Sequence, residues 1–306
     1  MSPRTRACCA CIVVVAATSC QSSPSPAAAP LVLVAGDATL SIDPSRAVIA
    51  WSIAGASRVT IGVDGLQVGS IDDGSALPST YNFDPTEAYA DPSTSTLPSG
   101  LAWHSVRSFS VASAGDASIA LALTMDDASA ASIVFTVERD RSIQAVFKPD
   151  PMKTVAFLRV RAHGSATEGF YGLGEYFDSV EHHGKVRAMQ LAIDSSTESG
   201  DNEAHVPVPF VIGTSGWGLF VESRRPGAFG VALDAPEVVD ATFATTTDSP
   251  NGLAFHLYAA IDPLDVTGLY YRSTSAPKLP APWALGPWVW RNDVAGQAAV
   301  GADAKT

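Results

Sequence analysis

From residue 31 to about residue 262, apolar and polar positions alternate with a period of two, in short runs broken by clusters of Gly, Asp, Ser and Pro. The clearest run sets Ile119, Leu121, Leu123 and Met125 on one face and Ser118, Ala120, Ala122 and Thr124 on the other. A turn is predicted at Asp126-Asp127-Ala128-Ser129, after which Ile133, Phe135 and Val137 resume the alternation. Arg139-Asp140-Arg141-Ser142 turns the chain again, and residues 143–148 and 154–161 extend an antiparallel meander. Further strands fit 47–53, 58–63, 106–112, 208–213, 217–222 and 253–260, with no sustained helical periodicity between them. So many short strands in one stretch predict a large two-sheet sandwich, and the lack of a fixed-length repeat argues against a propeller or solenoid.

The pattern changes after residue 262. Asp262-Pro263 is a helix start, and Leu264 to Tyr271 reads as a short helix. Pro277, Pro280 and Pro282 impose an extended connector over 263–282 as a whole, and the apolar run Trp283 to Trp290 suits a strand buried on both faces. A second helix is expected from Asp293 onward, so residues 283–306 read as one strand and part of one helix.

Before residue 31 the composition belongs to export. Arg4 and Arg6 precede an apolar run from Ala7 to Ala17 that is too short for the roughly 20 residues of a membrane-spanning helix. Ala17-Thr18-Ser19-Cys20 resembles a bacterial lipobox, which marks 1–19 as a lipoprotein signal peptide and Cys20 as the lipidated first residue of the mature chain; the rival reading is a plain secretory signal cut elsewhere, since Ala17 stands where a lipobox more often has leucine. Residues 20–30, rich in Pro, Ser and Ala, form a tether. The expected location is the bacterial cell envelope, periplasmic or at the cell surface, with the membrane engaged only through the lipid. All four cysteines, Cys8, Cys9, Cys11 and Cys20, lie in or at the end of the leader, so the body has no internal disulfide. Cys8-x-x-Cys11 lacks a second ligand pair and is no metal motif. The net charge of −12, −14 once Arg4 and Arg6 are removed, repels phosphate backbones and excludes nucleic acid as a partner.

Three stretches, in order, resemble glycoside hydrolase family 31. Gly169-Phe170-Tyr171-Gly172-Leu173-Gly174-Glu175-Tyr176-Phe177-Asp178-Ser179, with Gly184-Lys185 and Asp194 downstream, is similar to the family's F-Y-G-L-G-E-x-F block. Val208-Pro209-Phe210-Val211-Ile212-Gly213-Thr214-Ser215-Gly216-Trp217-Gly218-Leu219-Phe220-Val221 is similar to its P-F strand pair, and Lys278-Leu279-Pro280-Ala281-Pro282-Trp283-Ala284-Leu285-Gly286 to its entry into the barrel. The resemblance implies a galactose-mutarotase-like β-sandwich (supersandwich) over 31–262, followed by the start of an incomplete (α/β)8 barrel. It further implies retaining hydrolysis or transfer at α-glycosidic bonds of an oligosaccharide or glucan, with no cofactor. That chemistry uses two carboxyl groups about 5–5.5 Å apart, which the family carries in later barrel segments. Neither segment occurs in these 306 residues, so no catalytic residue is assigned and turnover by this chain alone is not expected. The alternative is a non-catalytic carbohydrate-binding sandwich.

By the same resemblance, Asp194 falls where a sandwich loop offers an aspartate to sugar hydroxyls; a solvated loop acid is the other reading. Arg291, Asn292 and Asp293 stand at the C-terminal end of the expected barrel strand, where side chains face substrate. Asn292 and Asp293 replace an aromatic wall common in the family, which leaves the sugar open. Trp288 and Trp290 suit core packing better than sugar stacking. Glu175 and Asp178 read as acceptors that anchor a loop, since a strand end would splay them apart. His182, His183 and His205 read as surface turn residues, because adjacent histidines point to opposite faces and share an ion poorly.

Overall fold

The structure, a computed structural model, describes residues 30–71, 85–89, 101–152, 154–189, 206–245, 251–286 and 296–303. Seventeen strands occur among them, all paired antiparallel, in two stacked sheets that share one strand. The first sheet holds β1 (Leu31–Ala35), β2 (Ala38–Asp43), β3 (Val48–Ile53), β4 (Ala56–Gly62) and β5 (Leu66–Ser70). A 3-10 turn, Val63–Gly65, separates β4 from β5, and both run along one edge of β10 (Val155–His163). On the other edge of β10 follow β16 (Val238–Ala244), β15 (Gly227–Val231) and β12 (Lys185–Ala188).

Strand β6 (Ala102–Ala114) makes the corner: Ala102 to Ser105 pair with β5, and from Val106 onward it pairs with β7 (Ser118–Met125) in the second sheet. That sheet continues through β8 (Ala130–Arg139), β9 (Ser142–Asp150), β17 (Leu253–Ala259), β14 (Trp217–Glu222), β13 (Pro207–Gly213) and β11 (Phe170–Gly174). The expected two-sheet β-sandwich is the observed architecture. Helix α1 (Pro263–Ser273) lies on the outer face of the second sheet, and α2 spans Gln297–Asp303.

Alternation explains the core. Ile119, Leu121, Leu123 and Met125 of β7 point inward beside Ile133 and Phe135 of β8, and all are buried. Each such side chain contributes about 1.5–3 kcal/mol by leaving water. Residues β16 and β15 show no alternation because both their faces are covered. On the outer face of the first sheet, the turn Pro85–Tyr89 packs over them, and the Tyr89 hydroxyl lies 2.7 Å from Thr242 Oγ1. Beneath that cover Arg159 is sandwiched by the Trp103 and Tyr89 rings, and Arg161 pairs with buried Asp240 at 2.7 Å.

Helix α1 begins where Asp262 predicts, its carboxylate accepting from the Leu264 N–H at 2.9 Å. The run from Trp283 departs from expectation. Pro282–Leu285 is a 3-10 turn, and Trp283 is 79% exposed instead of buried in a strand. Pro280 and Pro282 have no N–H to give a ladder, and among the described residues no strand pairs with this segment. Residues 287–295, with Trp288 and Trp290, lie outside the described residues.

Candidate functional site

The glycine-rich block begins on β11, the edge strand of the second sheet, and ends on β12, the edge strand of the first, so it wraps one open side of the sandwich. Gly172 and Gly174 sit at φ +103° and +105°, where a side chain would overlap the Phe210 and Val206 carbonyl oxygens. Leu173 between them turns into the core. This kinked strand lets residues 175–184 fold back and leave an open cavity of about 460 Å³, lined by Tyr171, Glu175, Tyr176, Ser179, Val180 and His182 among others. An aromatic ring, a carboxylate and a hydroxyl around one opening are the groups that hold a neutral polyhydroxylated ligand.

Under the cavity lies a buried polar network. Arg187 on β12 is 1% exposed and donates through Nη2 to Asp178 at 2.8 Å, while its Nε donates to His182 Nδ1 at 3.1 Å. A His182 Nδ1 that accepts must be unprotonated, so Nε2 carries the hydrogen and donates it to the Gly172 carbonyl at 2.9 Å. Burial holds the His182 pKa below its ordinary value, and the neighbouring Arg187 charge acts in the same direction. Asp178 also takes Lys185 at 3.1 Å. Burial works against its charge, but the hydrogen bonds from Arg187 and Lys185 prevail and keep its pKa lowered. The Tyr176 ring stacks under Arg187 at 4.3 Å, and its hydroxyl donates to the Ala188 carbonyl at 2.7 Å.

Asp178 is therefore the loop-anchoring acceptor that its position suggested. Glu175 gives its backbone N–H to the Val206 carbonyl at 3.2 Å and is among the residues that line the cavity. His182 corrects the expectation of a surface turn residue: it is fully buried, because Arg187 and Gly172 satisfy both ring nitrogens. His183 does point the other way, with Nδ1 2.6 Å from Glu181 and its ring 4.9 Å from Phe170. Cys20, Asp194, His205, Arg291, Asn292 and Asp293 lie outside the described residues.

Two further groups carry no sequence motif. Glu168, just ahead of the block, is buried and accepts from Ser165 N, Ser215 N, Ser215 Oγ and Trp217 Nε1 at 2.6–3.1 Å, tying the block to the β13–β14 turn. The β6–β7 pairing brings His104 to Asp126 and Asp127, with ligand-type atoms within 4.8 Å of one another. Its ring nitrogens already face Asp126 at 3.0 Å and Asp127 at 3.7 Å. The signal for either would be a partner some 20 to 50 positions away, which spacing does not show.

The fold defines the class first: a two-sheet β-sandwich of the kind that also forms part of much larger solved proteins. A cycloalternan-forming enzyme from Listeria monocytogenes, solved with a pentasaccharide substrate, matches with a TM-score of 0.51 at 14% identity over 81% of this chain and 26% of its own. A family 31 sulfoquinovosidase from E. rectale matches with a TM-score of 0.52 at 13% identity, over 77% of this chain and 34% of its own. In sequence, Alpha-xylosidase XylQ of Lactiplantibacillus pentosus is 28% identical over 138 residues, 44% of this chain and 17% of that protein. An isomaltosyltransferase of Sporosarcina globispora is 23% identical over 131 residues, 43% of this chain and 12% of that protein. No family model matches. The chain is related to glycoside hydrolase family 31, and it spans less than a fifth of the curated relatives it matches.

Proposed function

We propose that this chain is the amino-terminal part of an exported, lipid-anchored glycosidase or transglycosylase that acts on α-linked oligosaccharides. The carrying observation is the sequence match, over nearly half the chain, to an alpha-xylosidase and an isomaltosyltransferase. In this reading the sandwich does no bond cleavage. It supplies Asp194 to sugar hydroxyls from the segment that leaves the block, while Arg291, Asn292 and Asp293 stand at the mouth of a barrel whose later strands carry the two catalytic carboxylates. The exposed Leu279, Trp283 and Leu285 along the connector suit a surface that such a barrel covers. Cys20 carries the lipid.

The coding sequence after Thr306 tests the reading. A frame that continues into two carboxylate-bearing segments supports it, and an in-frame stop contradicts it. The anchor is tested separately: Cys20→Ala moves the protein from the membrane fraction to the soluble fraction, and unchanged partitioning rejects the lipid.

A further inference from the structure

Alternate residues of a regular strand share a face. Had β11 run on regularly, Tyr171, Leu173 and Glu175 would stand side by side, and Leu173 would fill the space between the other two. It does not. Leu173 takes φ +63°, a conformation that a bulky side chain seldom adopts, and it is fully buried in the core. Gly172 and Gly174 on either side also have positive φ and bring no side chain. These three residues clear the space between Tyr171 and Glu175, and that space is the cavity of about 460 Å³, a volume in the range of small-molecule sites. Unusual backbone of this kind is kept where the surrounding structure holds it, and it gathers at ligand sites.

The polar groups at the floor are already engaged. Both ring nitrogens of His182 are paired, and the Tyr176 hydroxyl is held by Ala188. The Ser179 hydroxyl donates to the Glu181 carbonyl at 2.6 Å and accepts the Glu181 N–H at 3.2 Å. Asp178 is neutralised by Arg187 and Lys185. Two groups of the rim are left over. The Tyr171 ring is 41% exposed, and among the described residues it has no ring partner and its hydroxyl no hydrogen bond. Glu175 is exposed, and among the described residues its carboxylate has neither a cation nor a donor.

These leftovers select a chemistry. An aromatic face beside a carboxylate takes the C–H face of a pyranose on the ring and its hydroxyls on the oxygens. An unpaired carboxylate in a chain of net charge −12 disfavours an anionic ligand. A quaternary ammonium would need several rings around it, and the Tyr176 ring already carries the Arg187 guanidinium at 4.3 Å. Because the floor is fixed by its own hydrogen bonds, little has to be ordered when a ligand arrives.

We infer that the cavity beside β11 is a binding site for a neutral pyranose, with Tyr171 as its stacking platform and Glu175 as the acceptor of its hydroxyls. The sandwich then holds sugar by itself, apart from any bond cleavage. The choice of a sugar among neutral polyhydroxylated ligands rests on the proposed function; the position of the site rests on the geometry of the block.

Amide NMR of isotope-labelled residues 1–306, titrated with methyl α-D-glucopyranoside, reads the site. The Tyr171, Gly172 and Glu175 amides should shift saturably with a dissociation constant in the millimolar range, while amides of β7 and β8 stay unchanged. Tyr171→Ala should weaken binding about tenfold, and Tyr171→Phe, which keeps the ring, less than about threefold. Glu175→Gln should weaken the glycoside about threefold and strengthen the corresponding uronic acid about threefold, a reversal that a merely structural role does not produce. D-Sorbitol, which has the hydroxyls without the ring, should shift none of these amides. Absence of saturable shifts at the block, unchanged affinity in Tyr171→Ala, or binding of sorbitol or tetramethylammonium as tight as that of the glycoside would each overturn the inference. Because binding is read on residues 1–306, its failure leaves the reading-frame test of the proposed enzyme untouched, and an in-frame stop leaves the binding untouched.

Discussion

The block from Gly169 to Met189 and helix α1 both cover parts of the sandwich, yet opposite chemistry holds them. The block is closed by charge: Arg187, Asp178, Lys185 and a neutral His182, with Glu168 caged at its start. Helix α1 is docked by rings and aliphatics. Tyr270 stacks parallel on Phe210 at 4.3 Å and edge-on against Phe220 at 5.1 Å, with Val266 and Leu269 buried beside them. Apolar docking tolerates small shifts, because dispersion and burial are not directional. Hydrogen-bonded charge does not tolerate them, since each displaced donor leaves an unpaired buried group. The charged region is thus suited to holding a backbone in one place, and the aromatic region to holding a helix down.

The comparison is sharpened first by breaking the charged side. Arg187→Ala should cost about 3–5 kcal/mol in urea unfolding, because it removes the stack on Tyr176, the donor to His182 and the main partner of Asp178 together. Tyr270→Ala should cost less, about 2 kcal/mol, and should loosen α1 without changing exchange at Met189. Equal costs, or a spread of the α1 effect into the block, would break the distinction.

Acid separates the two regions next. The His182 pKa is lowered in the fold relative to its ordinary 6.5, so the unfolded chain takes up the proton first as pH falls. Stability contributed by the neutral ring is complete above about 6.5 and declines below it until the lowered folded pKa is reached, at up to about 1.4 kcal/mol per pH unit. Unfolding midpoints at pH 7.5 and 5.5 should therefore drop more for the wild type than for His182→Gln, whose amide can donate to Gly172 and accept from Arg187. An equal drop in both would remove His182 as the acid-sensitive group. The smallest effect belongs to Lys185→Ala. Its ion pair with Asp178 is partly solvated, and its loss should cost under about 1 kcal/mol, with the difference shrinking in high salt.

How much of this was legible depended on which faces meet water. Strands β7, β8, β13, β14 and β17 were read directly, and β7 and β8 have one solvated face that leaves the alternation visible. Strands β15 and β16 were not read, since the turn at Pro85–Tyr89 buries their outer face and Asp240 and Thr242 sit there among partners from other strands. The block itself was recognised from its glycines and aromatics. Its closing partners were not, because the contacts of Tyr176 with Ala188, Glu175 with Val206 and Glu168 with Ser215 are set by strand pairing and not by local spacing. Of the apolar run at Trp283, read as a buried strand, the described part, Pro282–Leu285, forms a 3-10 turn, and residues 287–290 lie outside the described residues.

The proposed role of the sandwich within an α-glycosidase is open to a direct test by turnover. Residues 1–306 and the product of the full reading frame would be assayed side by side on matched α- and β-linked 4-nitrophenyl glycosides. Nitrophenol should be released by the longer product alone, from the α-linked series alone. Turnover by residues 1–306, or selectivity of the longer product for β-linked substrates, would contradict it.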